Sequence, residues 1–463
     1  MNIYLHVEIS ARELEGKLLL ATLAAARGHN VIISSLNAIK VGLNSRALPP
    51  GIFHAKSLTA NDELIARHQQ MKNNGIIITS LDEEGGLLDY DYETFARERY
   101  SSKTIEQSSA VFGWGTEDVD TLKKIYSEYS SKIYKTGSPR VDLWKSQFSK
   151  NSTLPFSSPT KPFLLISSNL HTANFSKPFY EWGGFKPHQL KKNISYFKSN
   201  PKLFKKQFDK LSEDTQKLAA FVEAIHYLAD THNGYEIVFR PHPLENIETW
   251  KVYLKGIPNL HIIREGPITP WVKHAFAVMH NSCTTAIEAT ISGKEVITYI
   301  PFQQNHSWGE VPNELGHRIE TLESLSNKVN SLFNISQIDN KNNENKPLPD
   351  LLLNKIYMDE NELAAEKIIK VWEKLANNNL FRSSNLFKFK LLLKIMKIKS
   401  FLGMIFKNLL KSGSKHSNED YKFPSLDINE IRESVSNLQR VLKIDKNLEC
   451  KLLYDTTILI KKK

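Results

Sequence analysis

Cysteine is almost absent from this chain of 463 residues, which has Cys283 and Cys450 alone. Two thiols build neither a disulfide framework nor a cysteine-based zinc site, and they suit a reducing compartment. Long apolar runs are missing too: no window approaches the ~18 uninterrupted apolar residues that a membrane-spanning helix needs. The opening MNIYLHVEIS runs directly into a strand-like stretch without a basic leader or small-residue cleavage site, which predicts a cytoplasmic protein. The histidines lack the spacing of a zinc site, and Asp89-Tyr90-Asp91 lies in a polar loop rather than after a plausible strand, so no metal or other cofactor is expected. No repeat of fixed period occurs.

Acid is missing from one segment. Residues 381–411 hold Arg382 and seven lysines with no Asp or Glu, so eight of the eleven excess positive charges sit there. The remainder is close to balanced, which argues against a nucleic-acid footprint.

What is present is alternation. Over residues 1–150, NIYLHVEI (2–9), VIISS (31–35), GIIITS (75–80) and SAVFGWG (109–115) read as buried strands, and an apolar helix at 18–28 stops at Gly28. Residues 146–161, rich in Ser, Pro and Thr, read as a linker. Strands then resume at 162–168, 235–239, 260–265, 277–281 and 295–300, with helices at 214–232, 244–255, 269–275 and 284–292. Residues 170–213 read as a long insertion of the kind that forms lids or binding loops. A helix at 359–377 follows. The pattern predicts an α/β chain of two Rossmann-like doubly wound domains facing a cleft, spanning 1–150 and 160–378. A basic segment at 381–411 and a tether with a small tail at 412–463 complete it.

Such sheets bind ligands in the loops after their strands. After the strand ending at Phe239 comes Arg240-Pro241-His242-Pro243: a guanidinium able to clamp phosphate bidentately and an imidazole held between two prolines. These residues could also simply end the strand. After the strand ending at Asn281 come Ser282, Thr284 and Thr285 at a helix start, where hydroxyls and open N–H groups suit phosphate, or an ordinary N-cap. Glu288, a turn further, could accept from ribose hydroxyls or lie exposed. In the first half, Asp82-Glu83-Glu84 follows GIIITS. Clustered carboxylates raise one another's pKa and suit general-base work, unless they form a solvated acidic turn. Glu13 and Glu15 are second candidates, or the acids of a first helical turn. Arg12, Lys17 and Arg140 could hold an anionic acceptor or pair with these acids.

Taken together, Arg240-Pro241-His242-Pro243, His280-Asn281-Ser282-Cys283-Thr284-Thr285-Ala286-Ile287-Glu288-Ala289, Arg12-Glu13-Leu14-Glu15-Gly16-Lys17, Leu81-Asp82-Glu83-Glu84-Gly85 and Thr136-Gly137-Ser138-Pro139-Arg140 resemble the bacterial capsule and surface-polysaccharide glycosyltransferases of GT-B fold. The resemblance is to the β-Kdo-transferase-like and "surface carbohydrate biosynthesis protein" group, over roughly residues 1–330. It implies a metal-independent transferase whose second domain binds a nucleotide-sugar donor, a CMP-ulosonic acid ahead of UDP-sugar or CDP-glycerol. His242, Ser282, Thr284 and Thr285 would then hold the nucleotide phosphate, with Arg240, Asn281 and Glu288 beside them. The first domain would hold a glycan or lipid-linked acceptor and the catalytic carboxylate. A nucleotide-sugar epimerase, a CDP-glycerol-type polymer transferase and a noncatalytic scaffold share enough of these patterns to stand as alternatives.

In 386–411, Phe387, Leu391, Ile395, Ile398, Leu402, Ile405 and Leu409 recur at three- and four-residue steps, with Lys390, Lys394 and Lys397 on another face. That pattern suits a helix lying on an anionic membrane surface, or one packed on its own domain with lysines in water.

Overall fold

The computed structural model describes the chain except residues 88–90, 149–153, 155–158, 175–198, 200, 233, 265, 303–308, 339–346, 378–384 and 410–422, with backbone alone at 202–204, 206–207 and 400–409. The chain divides into two compact units: Met1–Gly86, Asp91–Asn151 and Pro349–Lys463 form the first, and Leu87–Tyr90 with Ser152–Leu348 form the second.

The first unit begins with β1 (Asn2–His6), α1 (Ser10–Ala26), β2 (Asn30–Ser34), α2 (Leu36–Asn44), β3 (Gly51–Ala55), α3 (Asp62–Asn73), β4 (Ile76–Leu81), α4 (Tyr92–Arg99), α5 (Ser102–Gln107), β5 (Ala110–Gly113), α6 (Thr116–Ile125), β6 (Ile133–Lys135) and α7 (Pro139–Trp144). Its strands order as β2-β1-β3-β4-β5-β6, all parallel. Parallel strands are covered on both faces, which is why they read as unbroken apolar runs. Strand β3, GIFHA, is missing from the sequence reading: it is five residues long and carries a polar residue, His54, fully buried against Thr79 Oγ1 at 3.1 Å.

The second unit holds β7 (Phe163–Ser167), α8 (Pro201–Thr231), β8 (Glu236–Arg240), α9 (Ile247–Tyr253), β9 (Leu260–Ile262), α10 (Thr269–His274), β10 (Ala277–His280), α11 (Thr285–Ile291), β11 (Glu295–Tyr299), α12 (Glu310–Asn313), β12 (His317–Ile319) and α13 (Leu322–Ile338). Its parallel sheet runs β12-β11-β10-β7-β8-β9, a doubly wound order with its switch point between β7 and β10. Both units are thus Rossmann-like, as the alternation predicts. The insertion expected over 170–213 is shorter than that: α8 starts at Pro201, and the part at 175–198 lies outside the described residues.

The domain boundary differs from the sequence reading, which gives 350–378 to the second domain. After α14 (Asp350–Leu353), α15 (Ala364–Asn377) packs on the first unit. The Asp142 carboxylate accepts from the N–H groups of Ala364 (3.1 Å) and Ala365 (3.0 Å), and Trp372 Nε1 donates to Thr79 Oγ1 at 3.0 Å. Next come α16 (Phe387–Leu409) and α17 (Ile428–Val441). The tail expected at 412–463 ends in a hairpin, β13 (Leu448–Tyr454) and β14 (Thr457–Lys462), whose second strand pairs antiparallel with β2 and extends the first sheet to eight strands. Ile458, Leu459 and Ile460 are fully buried there. Helix α16 is anchored by Leu386, Phe389 and Leu393, all buried; a Cβ on Gly42 of α2 would come within 2.5 Å of the Phe389 ring. Among the described residues, no helix is long and apolar enough to cross a membrane.

Candidate functional site

In the second unit, the loops after β7, β8 and β10 converge on the switch point. Glu245 organises two of them. Its buried carboxylate accepts from Leu170 N (2.8 Å), Ser168 Oγ (2.9 Å to each oxygen), Trp250 Nε1 (2.7 Å) and His242 N (3.3 Å), while burial pushes its pKa up to about 7. His242 is thereby fixed between its prolines. Leu244 N–H donates to its Nδ1 at 3.2 Å, so the neutral ring carries its proton on Nε2. The His242 ring lies 5.2 Å from that of His171, whose pKa burial and the nearby Lys210 lower to about 4.

Arg240, expected as a bidentate phosphate clamp, also serves the fold through one of its guanidinium nitrogens. Its guanidinium donates to Gly266 O at 2.7 Å and stacks 5.5 Å from the Trp271 ring, tying down the loop after β9. Ser282 is the hub after β10. It adopts φ 54°, an unusual left-handed turn for a non-glycine residue. Its hydroxyl donates to Asn281 Oδ1 (2.9 Å) and accepts from Asn313 Nδ2 (2.9 Å) and Lys217 Nζ (3.4 Å). Its N–H donates to Asn313 Oδ1 at 2.7 Å, and its carbonyl accepts from Asn169 at 3.0 Å. Gly309, at φ 71°, packs so close that a Cβ there would lie 2.7 Å from Ser282 Cβ. The Ser282 hydroxyl therefore shapes the turn.

Asn281 also donates to Tyr299 O at 2.8 Å. Thr284 occupies the N-cap of α11 without a side-chain capping bond, so the ordinary N-cap explanation for its hydroxyl does not hold. Among the described residues, the N–H groups of Cys283 and Thr284 meet no acceptor. Thr285 is buried with its Oγ1 3.2 Å from Cys283 Sγ, and Glu288 is buried rather than solvated.

Helix α8 adds a row that sequence reasoning missed. Lys217 is buried and pairs with Glu213 at 2.8 Å while reaching Ser282, and Lys210 meets Asp214 at 3.3 Å. The i,i+4 spacing in KLSEDTQK looks like a solvated helix face; only burial marks it as part of a site.

In the first unit, a second cluster lies beyond the ends of β1, β3 and β4. Asp82, Glu83 and Glu84 each face a cation, yet burial, with a contribution from the neighbouring Glu84, still raises the pKa of Asp82. Arg99 grips Asp82 bidentately (2.9 and 3.0 Å), and Asp82 also accepts from Glu84 N. The partly exposed Glu84 lies 3.4 Å from Arg99 and 3.9 Å from Arg12. Lys17 and Glu83 form a buried pair at 2.5 Å, and Glu83 Oε2 is buried without a hydrogen-bond partner among the described residues. Glu13, fully buried, accepts from Arg12 (3.0 Å) and Glu8 N (2.8 Å). Arg140 donates to Glu83 O at 2.8 Å and lies 5.6 and 5.7 Å from the Trp114 and Trp144 rings. Among the described residues, no three His, Cys, Asp or Glu side chains group as a metal site.

No family model and no curated protein matches the chain. Among solved structures it is similar to a UDP-GlcNAc 2-epimerase from Methanocaldococcus jannaschii in complex with UDP-GlcNAc and UDP, with 14% identity over 81% of this chain and 100% of that one, at a TM-score of 0.48. It is also similar to a glycosyltransferase from Rickettsia africae, with 14% identity over 89% of this chain and 99% of that one, at 0.38. A wall teichoic acid polymerase shares 10% identity over 82% of this chain and 90% of that one, at 0.43. At such scores the functional reading rests on the chain's own residues.

Proposed function

We propose that the protein is a nucleotide-sugar glycosyltransferase of GT-B type acting in surface polysaccharide assembly, its donor held by the second unit. The observation that carries this reading is the meeting of His171, His242, the Ser282 turn and buried Lys217 at the switch point of a doubly wound sheet. Lys217, the His242 Nε2 proton and the open N–H groups of Cys283 and Thr284 supply cationic and dipolar stabilisation to a departing phosphate. Thr284 offers a hydroxyl to the same group, and buried Glu288 suits the ribose. A CMP-ulosonic acid, with one phosphodiester and one carboxylate, suits a few fixed donors better than a diphosphate does. In the first unit, Glu83 is the carboxylate best suited to accept the proton of an acceptor hydroxyl. Asp82 is occupied by Arg99 and Glu13 by Arg12 and Glu8, whereas Glu83 keeps one buried oxygen without a partner. Lys17 and Arg140 hold it in place, and Arg12 is placed to meet an anionic acceptor, a glycan or a lipid-linked saccharide.

Thermal shift against CMP, UDP and CDP tests the reading. CMP should stabilise most, and His242→Ala should remove that shift while leaving the unliganded melting temperature within a few degrees. No shift with any nucleotide would refute a donor site. Conversion of a donor sugar without acceptor would replace transfer by epimerisation.

A further inference from the structure

Helix α16 carries two apolar rows, only one of which the fold uses. Leu386, Phe389 and Leu393 face the first unit's core and are at most 5% exposed. Phe387, Leu391, Ile395 and Ile398, spaced four, four and three residues apart, form a row on the opposite face with exposures of 64%, 47%, 42% and 52%. They account for four of the ten exposed large hydrophobics among the described residues. Lys388, Lys394, Lys397 and Lys399 are exposed, and at about 100° per residue they border this row on both sides, Lys394 and Lys397 on one and Lys388 and Lys399 on the other. The neighbouring hairpin brings Lys451 and Lys461 near Lys390, both paired with Glu449 (2.5 and 3.4 Å); burial first, then the charges of these two lysines, lower the pKa of Lys390 against the opposing effect of Glu449. No acid interrupts residues 381–411.

An apolar row between two lysine rows fits an anionic lipid surface: the apolar side chains enter the acyl boundary while the ammonium groups meet headgroup phosphates. A partner protein's acidic groove would not need the lysines on both borders. We infer that this outer face of α16, rather than the whole helix, docks the first unit on an anionic bilayer. Because Leu386, Phe389 and Leu393 bolt the helix to the core, the unit docks in one orientation, with α16 flat in the interface and the β13–β14 hairpin beside it. The inference is independent of the donor assignment.

The test is cosedimentation of the full chain with vesicles of phosphatidylglycerol and phosphatidylcholine, against phosphatidylcholine alone. The wild type should bind only the anionic vesicles. Ile395→Ser with Ile398→Ser should weaken binding by roughly tenfold or more, and Lys394→Gln and Lys397→Gln by about fivefold each, all with an unchanged melting temperature. Equal binding to both vesicle types, or undiminished binding by the variants, would overturn the inference. So would a concentration-dependent dimer abolished by the Ile395/Ile398 pair in the absence of lipid, which would assign the row to a second copy of the chain.

Discussion

Glu245→Gln is the sharpest perturbation of the second unit. The wild-type carboxylate gathers four donors on two oxygens, none of which is exposed to water. Glutamine replaces one acceptor with an NH2 group. Whichever way the amide is turned, that NH2 faces either the Leu170 and His242 N–H groups or the Trp250 indole N–H. Loss of one acceptor and exposure of one donor to another cost about 2–4 kcal/mol. The pH dependence is also determined. The folded carboxyl holds its proton up to about pH 7, above its ordinary value of 4.5, so it binds that proton more tightly folded than unfolded. Proton-linked stabilisation is therefore full below pH 4.5 and is lost as pH rises through 7, by about 3 kcal/mol over the whole interval. The glutamine variant lacks this dependence, so its deficit should narrow between pH 5 and 8. Urea unfolding followed by tryptophan fluorescence reads both quantities, since Trp250 itself donates to the group. A variant within about 0.5 kcal/mol of wild type at every pH would refute the claim that this carboxylate ties the two loops together, and a deficit that widens with pH would refute the direction of its pKa shift.

With Glu83 as the proposed base, Glu83→Gln should lower kcat of the proposed transfer by roughly a hundredfold or more with little change in KM, because the amide retains the place of the carboxylate but cannot take a proton; steady-state kinetics checks this. Deleting residues 446–463 should lower stability by roughly 5 kcal/mol or more, since three fully buried aliphatic side chains leave the core. It should also bare the β2 edge and promote aggregation, visible by light scattering.

The parallel strands were legible because burial on both faces leaves continuous apolar runs, and RPHP and NSCTT follow β8 and β10, two strands of the second sheet. Roles were less legible than places. Arg240 and Ser282 look like ligand-facing groups in a list of residues, and in three dimensions they also hold the fold, the first through a carbonyl and the second through an asparagine–lysine network. Glu245 and Lys217, which arrange the same site, look like a loop acid and a solvated helix lysine, since nothing local announces burial. The return of α15 to the first unit was equally hidden: an amphipathic helix declares that it packs, and long-range partners such as Asp142 and Thr79 decide on what.

The first sheet is assembled from both ends of the chain, with residues 152–348 made in between. On a ribosome the second unit is therefore complete before the first can be. Until β14 emerges, β2 presents an unpaired edge, and α1 and α2 wait for α15 and α16. Domain order in synthesis and domain order in folding run opposite to each other here, so a chaperone would find its substrate in the half of the protein that is translated first.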